Sequence, residues 1–98
     1  MSTRDRPPPH PGEILKTDFL QDMDITAYQL AKDIGIPRSR LTAILQGERA
    51  ITPDTAVRLA RYFGLSGRYW INMQARYDYE IVLTKLDGEL NRIVPLAS

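Results

Sequence analysis

Arg38, Ser39, Arg40, Thr42 and Ala43 form the part of this chain best equipped to meet a ligand. Arginine can fork two N–H donors onto guanine. Serine and threonine hydroxyls reach several base edges, and an alanine methyl can touch the methyl of thymine. With Leu41, Ile44 and Leu45 turned inward on a helix, ~100° per residue puts Ser39, Thr42, Ala43 and Gln46 on the outward face. Arg38 and Arg40 flank the N-terminal end of that face. These five residues are the candidate base readers, although either arginine alone could equally be a solvated or phosphate-bound charge. Thr26, Tyr28 and Gln29, at the start of the preceding helix, are candidate phosphate contacts through side chains or N-terminal amides. Gln46 and Arg49, at and just after the end of the reading helix, are two more. Tyr28 could instead pack partly into the core.

The two helices that must position these residues run from Thr26 to Gln46. Ala31 is small where two helices cross. Gly35, four residues on, can take the positive φ that closes a helix. Leu41, six residues further, anchors the second helix, and Leu30, Ile34, Ile36 and Ile44 fill the remaining inward places. That set is a helix-turn-helix, whose second helix enters the major groove by its N-terminal end. Thr26 to Gln29 fits a capping box, and Pro37 suits the first turn of the second helix.

Supporting helices follow from the same signals. Pro11 and Glu13 suit a helix start, and Ile14, Leu15, Phe19 and Leu20 continue it to about Gln21. Thr52-Pro53 repeats the start signal for a helix carrying Ala56, Val57, Leu59, Ala60 and Phe63 and ending at Gly64. Ser66 can cap a fifth helix from about Gly67 to Leu86, with a break at Gly88 and a short tail after it. Met1 to Pro9, with Pro7-Pro8-Pro9, reads as a flexible or extended arm. Residues 10–98 then form a single domain. The fifth helix is apolar on two sides: Tyr69, Trp70, Met73 and Tyr77 on one, Ala75, Tyr79, Val82 and Leu86 on the other. Tyr79, Val82 and Leu86 are therefore the candidate homodimer interface, unless the tail folds back over them.

Composition bounds the remaining functions. Ninety-eight residues hold one small core, and the mean hydropathy of -0.32 is ordinary for a globular domain. There is no cysteine, so disulfides and thiolate metal sites are excluded. No run of residues is apolar enough to span a membrane, and no signal-peptide core is visible near Met1. The net charge of +1 is unevenly spread: -2 from Met1 to Pro37, +5 from Arg38 to Arg76, and -2 from Tyr77 to Ser98. The basic middle is all arginine, which suits either a polyanion-facing surface or a set of solvated helix faces. Catalysis has little to work with. His10, the sole histidine, sits beside prolines, and no nucleophile stands beside a base. Metal-ligand spacing and a phosphate loop are absent, so neither a metal nor another cofactor is expected. Asp18, Asp22 and Asp24 lack the spacing of a divalent-ion loop.

From His10 to Leu96 the chain resembles the HigA family of antitoxins, the helix-turn-helix addiction-module antidote proteins of bacteria related to Xre repressors. The resemblance rests on His10-Pro11-Gly12-Glu13-Ile14-Leu15, Gln29-Leu30-Ala31 with Gly35-Ile36-Pro37, and Ile44-Leu45-Gln46-Gly47-Glu48-Arg49. It continues through Ile51-Thr52, Asp54-Thr55-Ala56, Arg58-Leu59-Ala60, Phe63-Gly64, Trp70-Ile71-Asn72-Met73-Gln74-Ala75, Tyr77-Asp78, Arg92-Ile93 and Pro95-Leu96. It implies an all-α, five-helix lambda-repressor-like domain with a C-terminal extension, forming a homodimer. It implies a cytoplasmic, nucleoid-associated repressor that binds operator double-stranded DNA in front of its own operon. A HigB-type, RelE-like mRNA endonuclease toxin would be its second partner. Such toxins are generally basic, which makes the acidic Asp18, Asp22 and Asp24 candidate toxin contacts. The alternative is a solitary Xre-type regulator with no toxin.

Overall fold

A computed structural model describes residues 8–97, and every regular element among them is helical. Helix α1 (Pro11–Ile14) runs without a break into a π-helix over Leu15–Gln21. It is followed by α2 (Ala27–Ile34), α3 (Arg38–Leu45), α4 (Pro53–Phe63), α5 (Tyr69–Lys85) and the short α6 (Asp87–Leu90). No helix of the described residues is long and apolar enough to cross a membrane. Of the expected N-terminal arm, all but Pro8 and Pro9 lie outside the described residues.

The core gathers Leu15, Leu20, Leu30, Ala31, Ile34, Ile36, Leu41, Ile44, Ile51, Ala56, Leu59, Ala60 and Trp70. The π-helix, α2, α3 and α4 each give it one stripe, and α5 gives it Trp70. Phe19 packs on Trp70 and Phe63 with ring centroids 4.9 Å apart in both pairs, joining the first helix to α4 and α5. The first helix departs from the expected regular α geometry. An i→i+5 register stacks residues five apart, and it lets Leu15 and Leu20 share the buried face. Val57 does not join the core as its spacing suggested. The buried stripe of α4 is Thr55, Ala56, Leu59 and Ala60, and Val57 lies on the exposed flank.

Two boundaries also differ. Ser66 does not cap α5. Its hydroxyl accepts from Arg68 N–H at 3.3 Å and shapes a turn, and the helix begins at Tyr69. The break after α5 falls at Leu86, and Gly88 lies inside α6, because Leu86 C=O accepts from Leu90 N–H and restarts the helix at once. The tail does not fold back: Ile93, Val94 and Leu96 are exposed.

Gln74 is one of two buried polar residues among the described residues. Its Oε1 accepts the Ile51 N–H at 2.9 Å and its Nε2 donates to Asp78 at 2.9 Å. It satisfies a buried backbone donor in the α3–α4 connection and so ties α5 to the end of α3.

Candidate nucleic-acid interface

The turn between α2 and α3 is built from both sides. Thr26 Oγ1 accepts from Gln29 N–H at 3.1 Å and starts α2. Gly35, at φ 74°, closes it, and the N–H groups of Gly35 and Ile36 both donate to Ala31 C=O. The Gln29 side chain does not complete the expected capping box. Its amide donates to Asp33 at 2.7 Å, and Tyr62 OH donates to the other oxygen of the same carboxylate at 2.8 Å. That carboxylate holds the Tyr62 phenol above its ordinary pKa.

Arg58, read from sequence as one charge of the basic middle, has a structural task. Its Nη1 donates to Ile34 C=O at 2.8 Å and reaches Gly35 C=O at 3.4 Å, and its Nε is held by Asp54 at 2.7 Å. A cation thus covers carbonyls at the C-terminal, negative end of α2. Spacing along the chain could not reveal this, because donor and acceptor lie 24 residues apart.

Helix α3 sits on the core through fully buried Leu41 and Ile44. Pro37 precedes the helix as its cap rather than occupying its first turn. Proline offers no capping side chain, so the amides at the N-terminal end of α3 receive no side-chain hydrogen bond. Arg38, Ser39 and Gln46 are exposed, and Arg40, Thr42 and Ala43 are half-buried. Ser39, Thr42, Ala43 and Gln46 lie on the side away from Leu41 and Ile44, and the two arginines flank them. The two arginines diverge. The Arg38 guanidinium lies over the Tyr28 ring, 5.7 Å from its centroid. Arg40 lines a hollow of ≈ 280 Å³ with Arg49, Ala50, Thr52, Asp54 and Thr55, at the N-terminus of α4. Thr26, Tyr28, Gln29, Gln46 and Arg49 are all exposed. The Thr26 hydroxyl, already accepting, keeps a proton to donate.

His10 belongs to the scaffold rather than to this surface. Its Nδ1 accepts from Gly12 N–H at 2.9 Å to cap α1, and its ring meets Tyr77 edge-on at 5.0 Å. Desolvation lowers its pKa, against the opposing pull of Asp78 and Glu13. Asp18, Asp22 and Asp24 are exposed, and Asp24 takes a left-handed backbone at φ 56° where the first helix ends.

Residues 18–70, more than half of the chain, match the family model described as helix-turn-helix. The chain is 42% identical over 89 residues to virulence-associated protein I of Dichelobacter nodosus, covering 91% of this chain and 82% of that one. It is 31% identical to antitoxin HigA-1 of Vibrio cholerae, covering 93% and 86% respectively. Its structure superposes on the Pseudomonas aeruginosa antitoxin HigA, solved with the higBA promoter. That match has a TM-score of 0.88 and 31% identity, and covers 95% of this chain and all of that one. With the α2–Gly35–α3 unit carried on α4 and α5, these likenesses place the chain in the helix-turn-helix family, among the HigA-type antitoxins.

Proposed function

We propose that this chain is a homodimeric antitoxin that binds operator DNA, represses its own operon and neutralises a HigB-type, RelE-like toxin. The observation that carries the DNA half is the N-terminal edge of α3. It is uncapped and exposed, it bears two arginines and two hydroxyls, and buried leucine and isoleucine hold it from behind. A HigA relative with this fold has been solved on a promoter, which supports the same surface here. Arg38, Ser39, Arg40, Thr42 and Ala43 read bases; Thr26, Gln29, Gln46 and Arg49 meet phosphates on either side. Tyr79 and Val82 on α5, with Leu86 at its C-terminal cap, are the dimer contacts. The toxin half rests on the family and on the exposed acidic residues Asp18, Asp22 and Asp24 at the end of the first helix.

Replacing Arg38 and Arg40 together by alanine should weaken binding to a specific site by ~2–6 kcal/mol. Retention of parental affinity by the double variant would remove α3 as the reader. Co-purification with the product of the neighbouring reading frame tests the toxin half. If that frame encodes no small basic protein, a solitary regulator is the better description. If charge reversal at all three aspartates leaves affinity for a co-purified toxin unchanged, they are not its contact.

A further inference from the structure

Tyr28 lies at the start of α2 and Arg38 at the start of α3, and their side chains meet across the turn. Tyr28 is 58% exposed, so packing into the core does not account for its place. A guanidinium held over a ring by the aromatic quadrupole spends none of its N–H donors on an oxygen acceptor, so its donor edge stays unused. A carboxylate partner would consume that edge. An arginine so held is therefore restrained while still able to fork onto guanine O6 and N7. A free arginine would have to freeze several rotatable bonds on reaching the base.

We propose that Tyr28 is a positioning residue: its ring holds the Arg38 guanidinium and presents the donor edge to a base in the major groove. The inference rests on α3 being the reading helix. It differs from a phosphate contact by Tyr28, which would act through the hydroxyl and need no arginine.

The test uses the full chain and a duplex site enriched from random-sequence DNA by the parent protein. Affinities are measured for the parent, Tyr28→Phe, Tyr28→Leu, Arg38→Ala and the Tyr28→Leu/Arg38→Ala double variant. Thermal unfolding verifies that each is folded. Phenylalanine keeps the ring and should bind within a factor of about two of the parent. Leucine should weaken binding about two- to fivefold per half-site and relax discrimination at the base pair read by Arg38. In the Arg38→Ala background the leucine change should add nothing. Equal losses in Tyr28→Phe and Tyr28→Leu would assign the effect to the hydroxyl and overturn the inference. So would losses that multiply in the double variant, or parental affinity in Tyr28→Leu. If Arg38→Ala binds as the parent does, the base-reading assignment of Arg38 falls first. If Arg38→Ala is weakened while Tyr28→Leu is not, only the role of Tyr28 falls.

Discussion

A methyl group added to Gly12 would overlap the Ile44 carbonyl oxygen, because α1 crosses the backbone of α3 at that point. The clash is with backbone, which cannot swing aside. Gly12→Ala should therefore lower stability by about 3 kcal/mol, near the top of the usual overpacking range. Gly67→Ala, with nothing within 4 Å of the new methyl, should shift it by less than about 0.5 kcal/mol. Urea midpoints of the two variants check the contrast, and a mild Gly12→Ala would refute the crossing. His10 next door makes stability pH-dependent. Burial lowers its folded pKa, so the unfolded chain takes up the proton first. Stability should be level above the ordinary histidine value of about 6.5 and fall as pH drops below it. Protonation also removes the Nδ1 acceptor that caps α1. His10→Asn keeps a capping oxygen without titrating, so its unfolding midpoint should lose that dependence. His10-Pro11-Gly12 was legible as a helix start. The reason for the glycine was not, because its neighbour lies 32 positions along the chain.

At the level of elements, the α2–turn–α3 unit was readable because it is local. The cap at Thr26, the positive φ at Gly35 and the buried Leu41 all act within a few residues of one another. What fixes the unit to the rest was not readable, because its partners are remote: Arg58 to Ile34 and Gly35, and Gln74 to Ile51. Charge patterning left Arg58 as either a polyanion-facing or a solvated charge, and the carbonyls it covers have no signature in sequence. Arg58→Ala should cost about 1 kcal/mol of stability, the lower range for a charged hydrogen bond given its exposure, with partial rescue by lysine. It should also weaken site-specific DNA binding, because the angle between α2 and α3 loses a support. A phosphate role would look different: unchanged stability, and a log–log salt slope smaller by about one. That second pattern would return Arg58 to the interface.

For the molecule as a whole, α5 is longer than its own core requires. Trp70 and Gln74 are its buried residues, and beyond Gln74 no described residue is buried. Tyr79 is 62% and Val82 48% exposed on the outer side, and the tail that might have covered them is itself exposed. The two-sided apolar pattern was visible in sequence. Whether tail or partner covers the second side depended on where the chain turns after Leu86, which local signals misplaced by two residues. An uncovered apolar helix face beside a single reading helix suits a two-fold dimer, in which two copies of α3 meet successive turns of the major groove. Val82→Asp would place a charge in the proposed interface while leaving the monomer core untouched. The variant should keep its unfolding midpoint at low concentration and sediment as a monomer at micromolar concentration. It should lose most of its affinity for a paired site, yet bind an isolated half-site as weakly as the parent does. A parental mass for Val82→Asp would move the contact off this face. A monomer that still binds the paired site with full affinity would mean that recognition does not need the dimer.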